Sequence, residues 1–240
     1  MTTLNVNTIK PAGATLTLGE SGDSVVFADD VKVNTVKDAG ANTLWSSNGS
    51  GVVSSVRAGI GGADKLLSTQ TISNAASASI TSGFDSTYKE YIIKWVSLQP
   101  VSDGTWFQWQ ASTDGGSNYN TTCTTTIFTA QHNENGSGGA LQYNPGQDAA
   151  QSTGYIYTSG SFGNAADECG VITIHLFNPS STTYVKNWYL EDQHYQGDNW
   201  SMNIFTGGYF NTTSAINAVN FKFVTGNINA GTLKLYGIAS

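Results

Sequence analysis

Hydrophobic and polar residues alternate in short stretches along most of the 240-residue chain. The stretches are separated by Gly, Asn, Asp and Ser, and apolar residues do not recur at the spacing of an amphipathic helix. Short alternating runs between turn-forming residues are typical of β-strands joined by tight turns. The pattern therefore predicts an all-β protein.

The longest strand signals lie after residue 69. Residues 88–98 are apolar on both faces, as in a central strand, and Phe107 and Trp109 alternate with Gln108 and Gln110. Further strands are predicted over 171–178, 184–190, 201–209, 218–225 and 232–238. Regularly spaced short strands of this kind predict a jelly-roll-like antiparallel β-sandwich over residues 69–240. The order of the strands is left open.

The first 56 residues contain shorter strand-like pieces, over 15–18, 24–27, 31–33, 43–45 and 52–56. Their large apolar residues are Leu16, Leu18, Val25, Phe27, Val31, Val33, Leu44 and Trp45. These are too few to close a core within one chain, and identical neighbouring chains are the simplest partner for the exposed apolar face. We expect residues 1–56 to form an assembly or anchoring segment, either an intertwined stalk or a flexible arm. The Gly-rich residues 57–68 are predicted to be a linker.

Two polar segments within the second part are predicted to be turns or loops. Residues 112–118 contain Asp114-Gly115, which indicates a hairpin turn or a turn resembling a calcium loop. Residues 133–139 (NENGSGG) indicate an exposed loop. The whole stretch 131–153 is polar, and long loops of this kind are often functional.

Charge excludes several kinds of partner. Only 11% of residues are charged, the net charge is −7, and Lys and Arg total 10. Nucleic-acid binding requires clustered basic residues, and anionic membranes attract them, so neither partner is expected. No apolar stretch approaches the roughly 20 residues of a membrane-spanning helix, and the N-terminus lacks the features of a signal peptide.

Motifs for catalysis and for metal binding are missing from the sequence. There is no GxSxG, no HExxH and no phosphate-binding glycine loop, so we expect a non-enzymatic protein without a cofactor. A polysaccharide depolymerase would need a pair of carboxylates, and the sequence singles out none. Glu191, Asp192, His194 and Asp198 are close in sequence but lack the spacing of a calcium loop. Cys123 and Cys169 are expected to be free, buried thiols, although their pairing stays open.

Carbohydrate binding is a stronger hypothesis than catalysis or metal binding, because the chain has six Trp and eleven Tyr but few charged residues. Sugars stack on aromatic rings while polar side chains bind their hydroxyl groups. The candidate glycan-binding residues are Tyr189, Glu191, Asp192, His194, Tyr195, Asp198 and Trp200. Trp95, Trp106, Trp109 and Trp188 are expected to be core residues.

Three motifs resemble a known class of protein. The N-terminal LNVNTIKPAGATLTLGESGDSVVFADDVKVN and TLWSSNGSGVVSSV are similar to the N-terminal regions of tail-fibre and related virion structural proteins of tailed, especially marine, bacteriophages. The C-terminal GNINAGTLKLYGIAS resembles the last strand of such proteins. The resemblance implies a homotrimer with an N-terminal segment that attaches to other virion proteins and an outward-facing C-terminal head. The chain is short for a complete fibre and has no coiled-coil segment.

We therefore expect a virion structural protein, made in the host cytoplasm and located on the particle surface. It would be a homotrimeric tail-fibre or spike subunit whose head recognises host polysaccharide. A capsid decoration or head-fibre protein and a free carbohydrate-binding module remain as alternatives, and tail and capsid locations are not separated by the sequence.

Overall fold

A computed structural model describes residues 35–37, 42–47, 50, 53–56 and 64–238. The chain divides into two units, Met1–Arg57 and Ala58–Ser240. The predicted strands over 15–18, 24–27 and 31–33 lie outside the described residues, as do the assembly residues Leu16, Leu18, Val25, Phe27, Val31 and Val33.

The first unit contains a three-stranded antiparallel sheet in the order β1-β2-β3. Its strands are β1 (Thr35–Lys37), β2 (Thr43–Ser47) and β3 (Val53–Val56). Trp45 lies opposite Val36 on one side and opposite Val56 on the other. Val36, Leu44 and Trp45 are only partly buried. The described part of this sheet therefore lacks a closed core of its own.

The second unit is an antiparallel β-sandwich, which confirms the predicted fold class. The larger sheet has eight strands in the order β4-β15-β6-β11-β12-β13-β8-β9, and the smaller has four in the order β10-β7-β14-β5. The strands are β4 (Asp64–Ala75), β5 (Ala78–Ile80), β6 (Glu90–Pro100), β7 (Thr105–Ser112), β8 (Cys123–Asn133), β9 (Ala140–Tyr143), β10 (Ile156–Phe162), β11 (Gly170–Phe177), β12 (Lys186–Gln196), β13 (Trp200–Phe210), β14 (Ala218–Phe223) and β15 (Ile228–Ile238).

Alternating side chains build the core between the two sheets. Along β12 and β15 buried residues alternate with more accessible ones, so one face of each strand packs inward. The centre of the core is aromatic: Trp109 of the smaller sheet meets Trp188 and Phe210 of the larger sheet with ring centroids 5.0 and 5.3 Å apart. Trp95 packs against Phe107 in the same edge-to-face manner. Such edge-to-face pairs favour the observed packing beyond the area that they bury.

The two sheets differ in width, and this leaves one side of the sandwich open. The edge strand β10 of the smaller sheet packs over β12 and β13. Beyond it, β8 and β9 of the larger sheet have no strand above them in the smaller sheet. A short 3-10 helix, Pro145–Gln147, contacts β8 there instead. A groove therefore opens between β10 and this helix.

Several element predictions were wrong. Residues 64–68 belong to β4 and are not part of a linker, while 57–63 lie outside the described residues. The stretch 131–153 is not one loop, because it contains the end of β8, all of β9 and the 3-10 helix. The turn over 112–118 is not a hairpin, because β7 and β8 belong to different sheets. Strands β4, β5, β8, β9 and β10 in the second unit were not predicted.

Two further observations bear on the sequence expectations. Cys123 and Cys169 are both free, but only Cys123 is buried, so the expectation that both thiols are buried was wrong for Cys169. Within the described residues, no helix has the length and apolar character needed to cross a membrane.

Candidate functional site

The seven predicted glycan-binding residues lie on or next to β12, and the structure divides them among three surroundings. Tyr189 and Glu191 are on the outer face of the larger sheet, the face directed away from the smaller sheet. Asp192 and His194 are on the inner face and are buried. Tyr195, Asp198 and Trp200 lie at the β12–β13 turn. The seven residues are therefore not brought together around one ligand position.

Tyr189 belongs to an aromatic patch on the outer face. Its side chain is 48% exposed, and its ring stacks on His175 with centroids 4.6 Å apart and an interplanar angle of 11°. Phe177 adds a tilted contact at 5.9 Å. The imidazole of His175 is held by a 2.6 Å hydrogen bond between its Nδ1 and Oε1 of Glu90. This patch offers an aromatic surface, and its polar partners are already engaged with each other.

Asp192 and His194 form a buried pair beneath β10. Nδ1 of His194 lies 2.8 Å from Oδ1 of Asp192, and the imidazole stacks on Phe162 with centroids 4.2 Å apart. Burial raises the pKa of the Asp192 carboxyl, and His194 opposes that shift. Within the described part of the chain, Oδ2 of Asp192 and Nε2 of His194 have no hydrogen-bond partner. The pair is inaccessible to a polysaccharide and contributes to packing between the sheets.

The β12–β13 turn is held in place by its own hydrogen bonds. Asp198 and Asn199 have φ angles of 70° and 67°, as expected for a tight hairpin turn. The hydroxyl of Tyr195 donates to Oδ1 of Asn199 at 2.7 Å. The amide of Asn133 donates to the backbone oxygen of Asp198 at 2.9 Å. Among the described residues, no three His, Cys, Asp or Glu side chains are grouped to hold a metal ion.

A different site lies in the groove between β10 and the 3-10 helix. It has a volume of about 200 Å³, and its floor is formed by Thr129, Met202 and Ile204 of the larger sheet. The polar side chains that line it are mostly carboxamides. We call this site the amide groove and define it by Gln131, Gln142, Asn144, Gln147, Gln196 and Trp106.

Trp106 connects the amide groove to a second cavity of about 200 Å³, which Gln147 and Tyr157 also line. Its ring is partly buried and meets the Tyr157 ring edge-to-face, with centroids 5.5 Å apart. The expectation that Trp106 is a core residue was wrong, whereas Trp95, Trp109 and Trp188 are buried as expected. The sequence does indicate the position of Trp106. Successive side chains of a strand point to opposite faces, so if Phe107 and Trp109 face the core, Trp106 lies on the opposite face.

Comparisons with known proteins give no assignment. Neither a protein-family model, nor a curated protein, nor a solved structure matches the chain.

Proposed function

We propose that this protein is a non-enzymatic virion structural subunit, a homotrimeric tail-fibre or spike protein whose β-sandwich head recognises polysaccharide on the host surface. The first unit would attach the head to other virion proteins. The observation that carries the proposal is the incomplete core of the first unit. A sheet whose described apolar residues stay partly exposed gains most by packing against its own copies.

The exposed apolar residues of the three-stranded sheet support assembly into an oligomer. Val36 and Trp45 are paired across β1 and β2, so their side chains lie on one face of the sheet. Both are only partly buried in the single chain. Burying them against neighbouring copies would stabilise the assembly by about 25 cal/mol for each Å² of apolar surface removed from water.

The head has the character of a particle-surface domain. Its core is complete, with large aromatic residues such as Trp95 and Trp109 almost fully buried. The chain as a whole carries few charges, at 11% of residues. A surface with few charges, a net negative charge and many hydroxyl and amide groups favours recognition of sugars over recognition of nucleic acid or anionic lipid.

The carboxylates of the head support a binding function over hydrolysis. Cleavage of a glycosidic bond requires two carboxyl groups roughly 5–10 Å apart on either side of the sugar. No Asp or Glu lines the amide groove or its adjoining cavity. Glu168 accepts a hydrogen bond from the backbone N–H of Ala165 at 2.7 Å, and Asp192 is buried with His194. The amide groove and its adjoining cavity therefore offer no carboxylate pair.

Two alternatives make different predictions. A capsid decoration or head-fibre protein would share the trimer but be located on the capsid. A free carbohydrate-binding module would be a monomer. The solution mass of the purified full-length chain, measured by light scattering, separates the module from the other two.

We expect a mass three times the 25.3 kDa of the single chain. Replacement of Trp45 by Ser should shift the mass toward the monomer, while the matched replacement of Tyr184 by Ser, on the head, should leave the trimer intact. A monomeric full-length protein at micromolar concentration would contradict the trimer.

A further inference from the structure

The amide groove exists because the two sheets are unequal. The larger sheet has eight strands and the smaller has four, so the inner face of β8 and part of β13 is not covered by a strand of the smaller sheet. In an ordinary sandwich this inner surface would be filled with apolar side chains. Here the 3-10 helix covers only part of β8, and the space beside it is lined by polar groups. This polar inner surface is therefore accessible to a polar ligand.

The carboxamides in the groove are available for a ligand. Each carboxamide has two N–H donors and one oxygen acceptor. The side-chain amide of Asn144 donates a hydrogen bond to Oγ1 of Thr129 at 2.6 Å. Among the described residues, the carboxamides of Gln131, Gln142, Gln147 and Gln196 make no such hydrogen bond. Four carboxamide groups therefore converge on the groove without partners among the described residues.

The backbone around the groove is held in place independently of a ligand. The N–H of Gln147 donates to the backbone oxygen of Asn144 at 3.1 Å, which closes the 3-10 turn. The Tyr143 hydroxyl donates to Asp148, which connects β9 to the segment after the helix. The N–H of Ala149 donates to Oγ1 of Thr125 at 2.7 Å. These bonds fix the wall that carries Gln142 and Gln147, so binding would order few additional groups.

Trp106 supplies an aromatic surface at the junction of the two cavities. The edge-to-face contact with Tyr157 restricts the orientation of the indole. The two cavities adjoin at Trp106 and Gln147 and together reach the range of about 300–1,000 Å³ that is typical of small-ligand sites. An aromatic ring beside converging amides suits a molecule with apolar faces and a rim of hydroxyl groups.

We propose that the amide groove binds a neutral saccharide, with one sugar stacked on Trp106 and its hydroxyl groups bonded to Gln142, Gln147 and Gln196. No charged side chain lines either cavity, so an acidic sugar would lose its hydration without gaining a counter-charge. The inference deepens the proposed function, since it names the glycan class and moves its site away from the predicted residues on β12.

The test uses the full-length protein in native gels containing dextran, a starch-type glucan, a galactomannan or, as the acidic comparison, alginate. We expect at least one neutral polysaccharide to retard the protein and alginate to leave it unretarded. Trp106→Ala should weaken the retardation by roughly tenfold in Kd, which corresponds to about 1.4 kcal/mol. The double variant Gln142→Ala/Gln147→Ala should have a similar effect. Gln142 is exposed and Gln147 is partly buried, and both lie outside the core, so the double variant should retain the fold.

The matched control is Tyr189→Ala, which removes an exposed aromatic ring from the outer face. Binding that survives Tyr189→Ala and is lost in both groove variants supports the inference. Overturning results are a wild-type protein that no neutral polysaccharide retards, binding unchanged in the groove variants, or loss of binding only in the Tyr189 variant. Light scattering on the same samples keeps the two proposals separate. A trimer that binds no glycan rejects the amide groove and glycan recognition by the head but leaves the trimeric subunit standing, whereas a glycan-binding monomer rejects the trimer and leaves the groove standing.

Discussion

Trp106 and Trp109 lie three residues apart on β7, and the structure gives them opposite roles. Trp109 is fully buried and contacts three aromatic rings: Trp188 and Phe210 of the larger sheet and Phe221 of β14. Trp106 is partly buried, on the other face of the smaller sheet. The same substitution by Ala at the two positions therefore compares a core residue with a groove residue in the same strand.

Trp109→Ala should lower the free energy of unfolding by about 3–5 kcal/mol, because the lost indole leaves a cavity between two rigid sheets. This is a large part of the roughly 5–15 kcal/mol by which folded domains are stable. With a urea dependence of about 2 kcal/mol per molar, the unfolding midpoint should fall by roughly 2 M. Trp106→Ala should cost about 1 kcal/mol or less, since its ring is not enclosed by the core.

The assay is urea unfolding followed by circular dichroism, since a tryptophan variant changes the fluorescence signal itself. A third variant, Trp109→Phe, should recover part of the loss, because it keeps an aromatic ring and removes an indole N–H that finds no hydrogen-bond partner among the residues that the structure describes. Equal destabilisation by Trp106→Ala and Trp109→Ala would refute the assignment of the two residues to opposite faces.

Three other predictions follow from single contacts. Gly237→Ala should destabilise the head by about 1–3 kcal/mol in thermal unfolding, because a Cβ there would overlap the buried Tyr88 ring, and an unchanged melting temperature would contradict that packing. Hydrogen bonds from Asn118 and Ser112 lower the pKa of Asp114 to about 2. In thermal unfolding, wild type should therefore be more stable than Asp114→Ala above pH 4, and this difference should disappear as the pH falls through about 2. Burial raises the pKa of Cys123 to about 12, so Ellman's reagent at pH 8 should modify only the exposed Cys169 in the folded chain. Both thiols should react after denaturation. Rapid modification of two thiols in the native protein would contradict the burial of Cys123.

The sequence predicted the fold class and most central strands because their residues alternate clearly. Strand β8 was not predicted, although its sequence, CTTTIFTAQHN, is rich in β-branched threonine, which favours strands. Strand β12 was predicted to end at residue 190 but continues to Gln196. Trp188 and Leu190 lie on the buried face of this strand. Continuing the same alternation to residues 192 and 194 would have placed Asp192 and His194 in the core.

The amide groove could not be predicted from the sequence in the same way. Its side chains come from residues as far apart as Trp106 and Gln196, and only the strand order brings them together. In particular, β8 pairs with β13 and not with its sequence neighbour β7. Local patterns do not determine such pairings, so neither the unequal width of the sheets nor the groove that results was accessible before the structure.

The location of the protein on the particle decides whether it is a virion subunit of the tail. If the proposal holds, antibodies raised against the head, coupled to gold and applied to phage particles purified from cultures that produce this chain, should label the outside of the tail. Labelling of the capsid instead would transfer the protein to the decoration or head-fibre class. If purified particles carry no label and contain no peptides of this chain by mass spectrometry, the protein is not a virion subunit and the account is contradicted.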